Sequence, residues 1–127
     1  MDQPDGDQRD ELDAKIERAL DELWVRFLPD IEDRVKVLAG AAAALCAGDF
    51  APESRVAAES AAHKLAGILG TFNLNRGTEL AREYEATVAP NAQLDPNSGE
   101  RLSWIVREIR TMMENRKPGM ENRKPGA

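Results

Sequence analysis

The chain has 127 residues, 42% hydrophobic but only 5% aromatic, and carries a formal net charge of −6. That length fits one domain with a mainly aliphatic core, and the acidic balance argues against nucleic acid, which rewards basic surfaces. No apolar run approaches the roughly 18 residues of a membrane span, and no signal-peptide pattern opens the sequence, so no membrane partner is expected. The single cysteine, Cys46, cannot form an internal disulfide. It fits a reduced, cytoplasmic setting, and its apolar helical position suggests a packed structural thiol.

Alanine-rich segments without alternating strand patterns predict an all-α protein. Residues 1–9, beginning Met1-Asp2-Gln3-Pro4-Asp5-Gly6-Asp7, read as a disordered acidic N-terminus. From there Leu12, Ile16, Leu20, Leu23, Phe27, Ile31, Val35, Leu38, Ala42 and Leu45 recur every three or four residues, a sustained helical stripe. Pro29 falls inside it, yet the register passes through unbroken, which predicts one long kinked helix rather than two. Gly48-Asp49-Phe50-Ala51-Pro52 punctuates, and Pro52 is placed to open a second helix running to about Thr71.

Asn73-Leu74-Asn75-Arg76-Gly77 reads as a turn, followed by a third helix with Leu80, Tyr84 and Val88 spaced by four. Residues 90–99 read as a loop in which Asn97 and Glu100 resemble a capping pair. Leu102, Ile105, Ile109 and Met112 mark the last helix. Short turns between striped helices predict an antiparallel four-helix bundle over residues 10–115. In the tail, Met113-Glu114-Asn115-Arg116-Lys117-Pro118-Gly119 is repeated unchanged as residues 120–126. Two copies are too few for a solenoid. Residues 116–127 read as a flexible duplicated tail, with a weak docking arm for an acidic partner as the alternative.

The second helix holds the only histidine, His63. At about 100° per residue, Ala61, Leu65, Ile68, Leu69 and Phe72 form an apolar arc opposite it, while Gly67 and Gly70 fall beside it on the outer face. Each glycine costs a helix about 1 kcal/mol relative to alanine. Close approach of another protein to an exposed imidazole would justify that cost; a frayed helix end around Gly70 is the plainer reading.

The run Ala62-His63-x-Leu65-x-Gly67-x-x-Gly70-Thr71-Phe72 resembles the histidine phosphotransfer (Hpt) domain signature, particularly the version at the N-terminus of the chemotaxis histidine kinase. Leu28-Pro29-Asp30-Ile31-Glu32-Asp33-Arg34-Val35-x-x-Leu38 and Ala47-Gly48-Asp49 also look like that family's second helix and the turn after it. The resemblance implies a four-helix bundle with no nucleotide site. Its histidine, His63, would exchange a phosphoryl group with the aspartate of a response-regulator receiver domain, or take one from a histidine kinase. It also implies that Glu85, 22 residues on, hydrogen-bonds the imidazole. By itself Glu85 reads as a solvated helix carboxylate. Where the family usually has a lysine, three residues after the histidine, this chain has Ala66. Arg82 stands where the chemotaxis version has a second histidine, and is the expected substitute cation, with Lys64 next. Gly67, Gly70, Ala66, Glu59 and Ser60 form the expected receiver-docking surface.

Two functions remain open on the sequence: a phosphorelay carrier, which is not an enzyme, and an interaction module that binds or sequesters a receiver or kinase without being phosphorylated. A stand-alone enzyme fits poorly. One histidine and one cysteine make no zinc site, and no GxxxxGK phosphate loop or nucleophile elbow is present. No cofactor of its own is expected; Mg2+ belongs to the partner receiver. Nothing in the sequence calls for an obligate oligomer, so a monomer is expected.

Overall fold

The computed structural model describes residues 5–116, which form four helices: α1 (Asp5–Cys46), α2 (Pro52–Thr71), α3 (Asn75–Val88) and α4 (Pro96–Asn115). Each packs on the next, and α4 closes the ring against α1. Trp24, Ile31, Leu38, Leu65, Leu69 and Ile105 are among the side chains fully buried in one shared core. Tyr84 crosses that core from α3, donating its hydroxyl to the Leu38 carbonyl of α1 at 2.7 Å. Burial pushes its phenol well above the ordinary value.

The helix ends follow from identifiable residues. α1 ends in a Schellman motif: Gly48 has φ +76°, and the Gly48 and Asp49 amides donate to the Leu45 and Ala44 carbonyls. α2 ends the same way with Asn73 (φ 61°) in the left-handed position, as the Asn73 and Leu74 amides reach Gly70 and Leu69. Asparagine tolerates that conformation better than other non-glycine residues. Consequently the turn spans only three residues, and Asn75, Arg76 and Gly77 are helical, where a longer turn was expected. Gly77 needs its small size: a Cβ there would lie 3.0 Å from Leu69 Cδ1 and 3.3 Å from Met112 Sδ.

α4 starts earlier than the Asn97–Glu100 pair suggests. Asp95 accepts the Ser98 amide, and the Ser98 hydroxyl faces the Asp95 amide in return, with Pro96 as first helical residue.

α1 is one continuous helix of 42 residues, with Pro29 inside it. Pro29 deprives the Val25 carbonyl of its helical donor, but both residues lie on the exposed side, where water can replace it. At about 1.5 Å per residue α1 is roughly twice as long as the 20-residue α2 and α4, so its N-terminal part overhangs the bundle. The apolar stripe continues onto this overhang uncovered, where Leu12 and Ile16 are exposed. The helix also begins at Asp5, so residues 5–9 are helical rather than disordered; residues 1–4 lie outside the described residues.

Two further expectations change. Cys46 is exposed rather than packed, although its Sγ abuts Gly99, where an added Cβ would come within 2.7 Å of it. Arg116, expected in a flexible tail, is seated on the bundle. It pairs with Asp21 at 2.7 Å, and its guanidinium stands over Trp24 and Phe72 at 5.6 and 5.8 Å from the ring centroids. Trp24 and Phe72 in turn meet edge to face at 5.1 Å. Residues 117–127, which hold the rest of the duplicated segment, lie outside the described residues.

Candidate functional site

The three-residue turn after α2 makes α2 and α3 an antiparallel hairpin centred near Leu74. Residues equally far from that centre therefore sit side by side. His63 is 11 positions before it and Glu85 is 11 positions after it. The side chains meet: His63 Nδ1 lies 3.0 Å from Glu85 Oε2. An ionised carboxylate only accepts, so Nδ1–H donates, and in the neutral ring this tautomer leaves the free lone pair on Nε2. The imidazole side chain is 72% exposed and Glu85 30%, so the ring is accessible while its anchor is partly shielded.

The same symmetry sets the rest of the site. Gly70 pairs with Thr78, whose Oγ1 would be 3.5 Å from a Cβ at Gly70. Thr78 also donates to the Ala66 carbonyl at 3.0 Å, fastening the start of α3 to α2. Ala66 and Arg82 lie eight positions either side of the centre, so the exposed guanidinium stands level with the alanine. His63, Glu85, Ala66, Arg82, Glu59, Gly67, Ala86 and Ala89 together line one shallow open hollow. The floor is alanine and glycine, and the rim carries one cation and two carboxylates.

Of the expected site residues, His63, Glu85, Arg82, Glu59, Ala66 and Gly67 are brought together in this hollow. Lys64, Ser60 and Gly70 are exposed on α2 but do not line it. Ala66 departs from expectation: it is only 4% exposed and forms floor rather than outer surface. α2 packs between two neighbours, so its buried arc is wider than a single stripe and takes in Ala58, Ala62 and Ala66. Ile68, expected in that arc, is only partly buried.

Sequence reasoning missed Ala86 and Ala89, whose positions follow from the hairpin's centre. It also missed Arg55. That guanidinium donates to the Val88 carbonyl at 2.8 Å, the Ala92 carbonyl at 2.6 Å and the Ala89 carbonyl, supplying the cation that α3 lacks in its own last turn. It thereby fixes the Ala89 edge of the hollow. Nothing in the local spacing of Arg55 signals this contact across 33 residues.

Among the described residues no group of three or more His, Cys, Asp or Glu side chains could hold a metal ion, and no helix is long and apolar enough to cross a membrane. Protein RcaC of Microchaete diplosiphon is 29% identical over 91 residues, which cover 72% of this chain. The matched region spans only 14% of that relative's length. No solved structure matches significantly. The Hpt domain profile matches residues 22–117, most of the chain and the whole of the hollow. With a four-helix bundle around an exposed, carboxylate-bonded histidine and a profile match of that extent, the chain belongs to the Hpt domain family.

Proposed function

We propose that His63 is the phosphoacceptor of a phosphorelay, exchanging a phosphoryl group with the aspartate of a receiver domain or accepting one from a kinase. The observation that carries this reading is the 3.0 Å contact from His63 Nδ1 to Glu85 on an otherwise exposed ring. In the transfer, the Nε2 lone pair attacks phosphorus in line as the bond to the aspartyl oxygen breaks, and the carboxylate leaves with that electron pair. Nε2 has no proton to lose. The positive charge arriving on the ring is met by Glu85, which already holds Nδ1–H.

Arg82 is the cation placed to meet the incoming phosphoryl oxygens, from across the hollow at the level of Ala66. The alanine floor and Gly67 give a partner's acidic loop room to approach. The chain supplies position and charge; the divalent metal of the reaction, Mg2+, belongs to the receiver. In this reading the chain is a carrier and not an enzyme, has no cofactor of its own, and works as a cytoplasmic monomer.

The test is transfer from a panel of phosphorylated receiver domains to the chain beside a His63→Gln variant. Acid-labile label on the native chain and none on the variant supports the proposal. Receivers that bind but never deliver label would support a sequestering module instead.

A further inference from the structure

Glu59 is the one feature of the hollow that the transfer does not use. It stands one helical turn before His63 on α2, where i and i+4 side chains are neighbours with Cβ atoms about 5–6 Å apart, and it lines the same hollow. It is only partly exposed. Among the described residues no ion pair compensates it. The nearest cation on its own face, Arg55 four residues earlier, is committed to three carbonyls at the end of α3. Ala66, one turn nearer the C-terminus than Ala62, offers no charge. Arg82 is the only cation lining the hollow, against two carboxylates. Glu85 is offset by the ring it anchors, which becomes cationic on phosphorylation; Glu59 has no such offset.

We infer that Glu59 destabilises the phosphorylated state of His63 and so shifts the phosphoryl partition away from the chain and toward its receiver partners. This rests on His63 being the phosphoacceptor. When the Nε2–P bond forms and the receiver's acyl-phosphate O–P bond breaks, the hollow gains a doubly negative group beside an uncompensated carboxylate. Reversal, or delivery to a second receiver, removes that charge. The chain therefore passes the group on rather than storing it, and Glu59 acts as a positioning residue through its charge alone.

The experiment equilibrates the chain with a phosphorylated receiver and measures the fraction of phosphoryl on each partner, for native, Glu59→Gln and Glu59→Lys chains. Glu53→Gln, six residues away at the start of α2, serves as a control for a change in net charge. Glu59→Gln should shift the partition toward phosphohistidine by about two- to fivefold, Glu59→Lys further, and Glu53→Gln little, with the differences shrinking as salt is raised. An unchanged partition in Glu59→Gln and Glu59→Lys, or equal effects of Glu59→Gln and Glu53→Gln, would overturn the inference while leaving the carrier reading intact. A native chain that takes up no acid-labile label would overturn both.

Discussion

At the scale of single residues, the imidazole and its carboxylate divide the work. In the proposed transfer, Glu85 fixes which nitrogen is free, and Arg82 answers the charge that arrives there. Glu85→Ala leaves the ring free to choose either tautomer, and should slow transfer roughly 10- to 100-fold, the usual cost of losing a carboxylate that orients a functional histidine. Arg82→Ala removes one charge-assisted contact, worth about 1.5–3 kcal/mol, and should slow transfer by about tenfold or more, with Arg82→Lys restoring part of it. Single-turnover transfer from a phosphorylated receiver measures both. Neither variant touches the core, so thermal stability should stay close to native. His63 stood out as the only histidine, opposite an apolar arc, whereas its pairing with Glu85 was expected only from the family resemblance, since Glu85 by itself reads as a solvated helix carboxylate. The burial of Ala66 was not legible, because a wheel shows which arc is apolar but not how many neighbours press on it.

At the scale of elements, α1 does two jobs. From Trp24 onward it supplies Trp24, Ile31, Val35 and Leu38 to the core, while its first turns extend past the other helices. Deleting residues 1–18 should therefore move the melting temperature by no more than about 4 °C, the shift of roughly 1 kcal/mol in a domain this size, as followed by circular dichroism. The opposite holds at the C-terminus. Arg116→Ala breaks the pair with Asp21, whose partners are 19% and 22% exposed, together with two ring contacts, and should cost about 1–3 kcal/mol in chemical denaturation. The helix over Leu12 and Ile16 was legible from periodicity. That nothing covers this part of the stripe was not, since periodicity reports an apolar face and not its occupant. Arg116 carried no signal: among the basic residues of a repeated tail, only the antiparallel path of α4 along α1 singles it out. Asp95 as the cap was within reach, because Pro96 directly follows it.

At the scale of the whole molecule, pH limits the bundle from both sides. Hydrogen bonds from Arg101 at 2.6 and 2.7 Å hold the Glu83 carboxyl below its ordinary value of 4.5, joining α3 to α4 next to Trp104. A lowered carboxylate value stabilises the fold above the ordinary value, and that contribution fades as pH falls through the folded one. Glu83→Gln should therefore flatten the acid limb of the stability profile, modestly, because the pair is exposed. Tyr84 acts in the other direction. Its phenol is raised above 10.0 by burial, so stability is complete below that value and falls as pH rises past it, where only the unfolded chain ionises readily. Tyr84 is the only tyrosine. Tyrosinate absorbance should therefore appear together with loss of helix rather than before it.

These three scales meet in one claim, that α2 and α3 exist to present His63 Nε2 to a receiver with Nδ1 already held. The most direct test is phosphorus NMR of the chain after phosphorylation by a receiver, with the bonded nitrogen assigned through coupling to the ring protons. The account predicts a single phosphoramidate on His63, bonded at Nε2, which becomes a mixture of isomers or is lost in Glu85→Ala. Phosphorus on Nδ1 of the native chain, or on any residue other than His63, would contradict it.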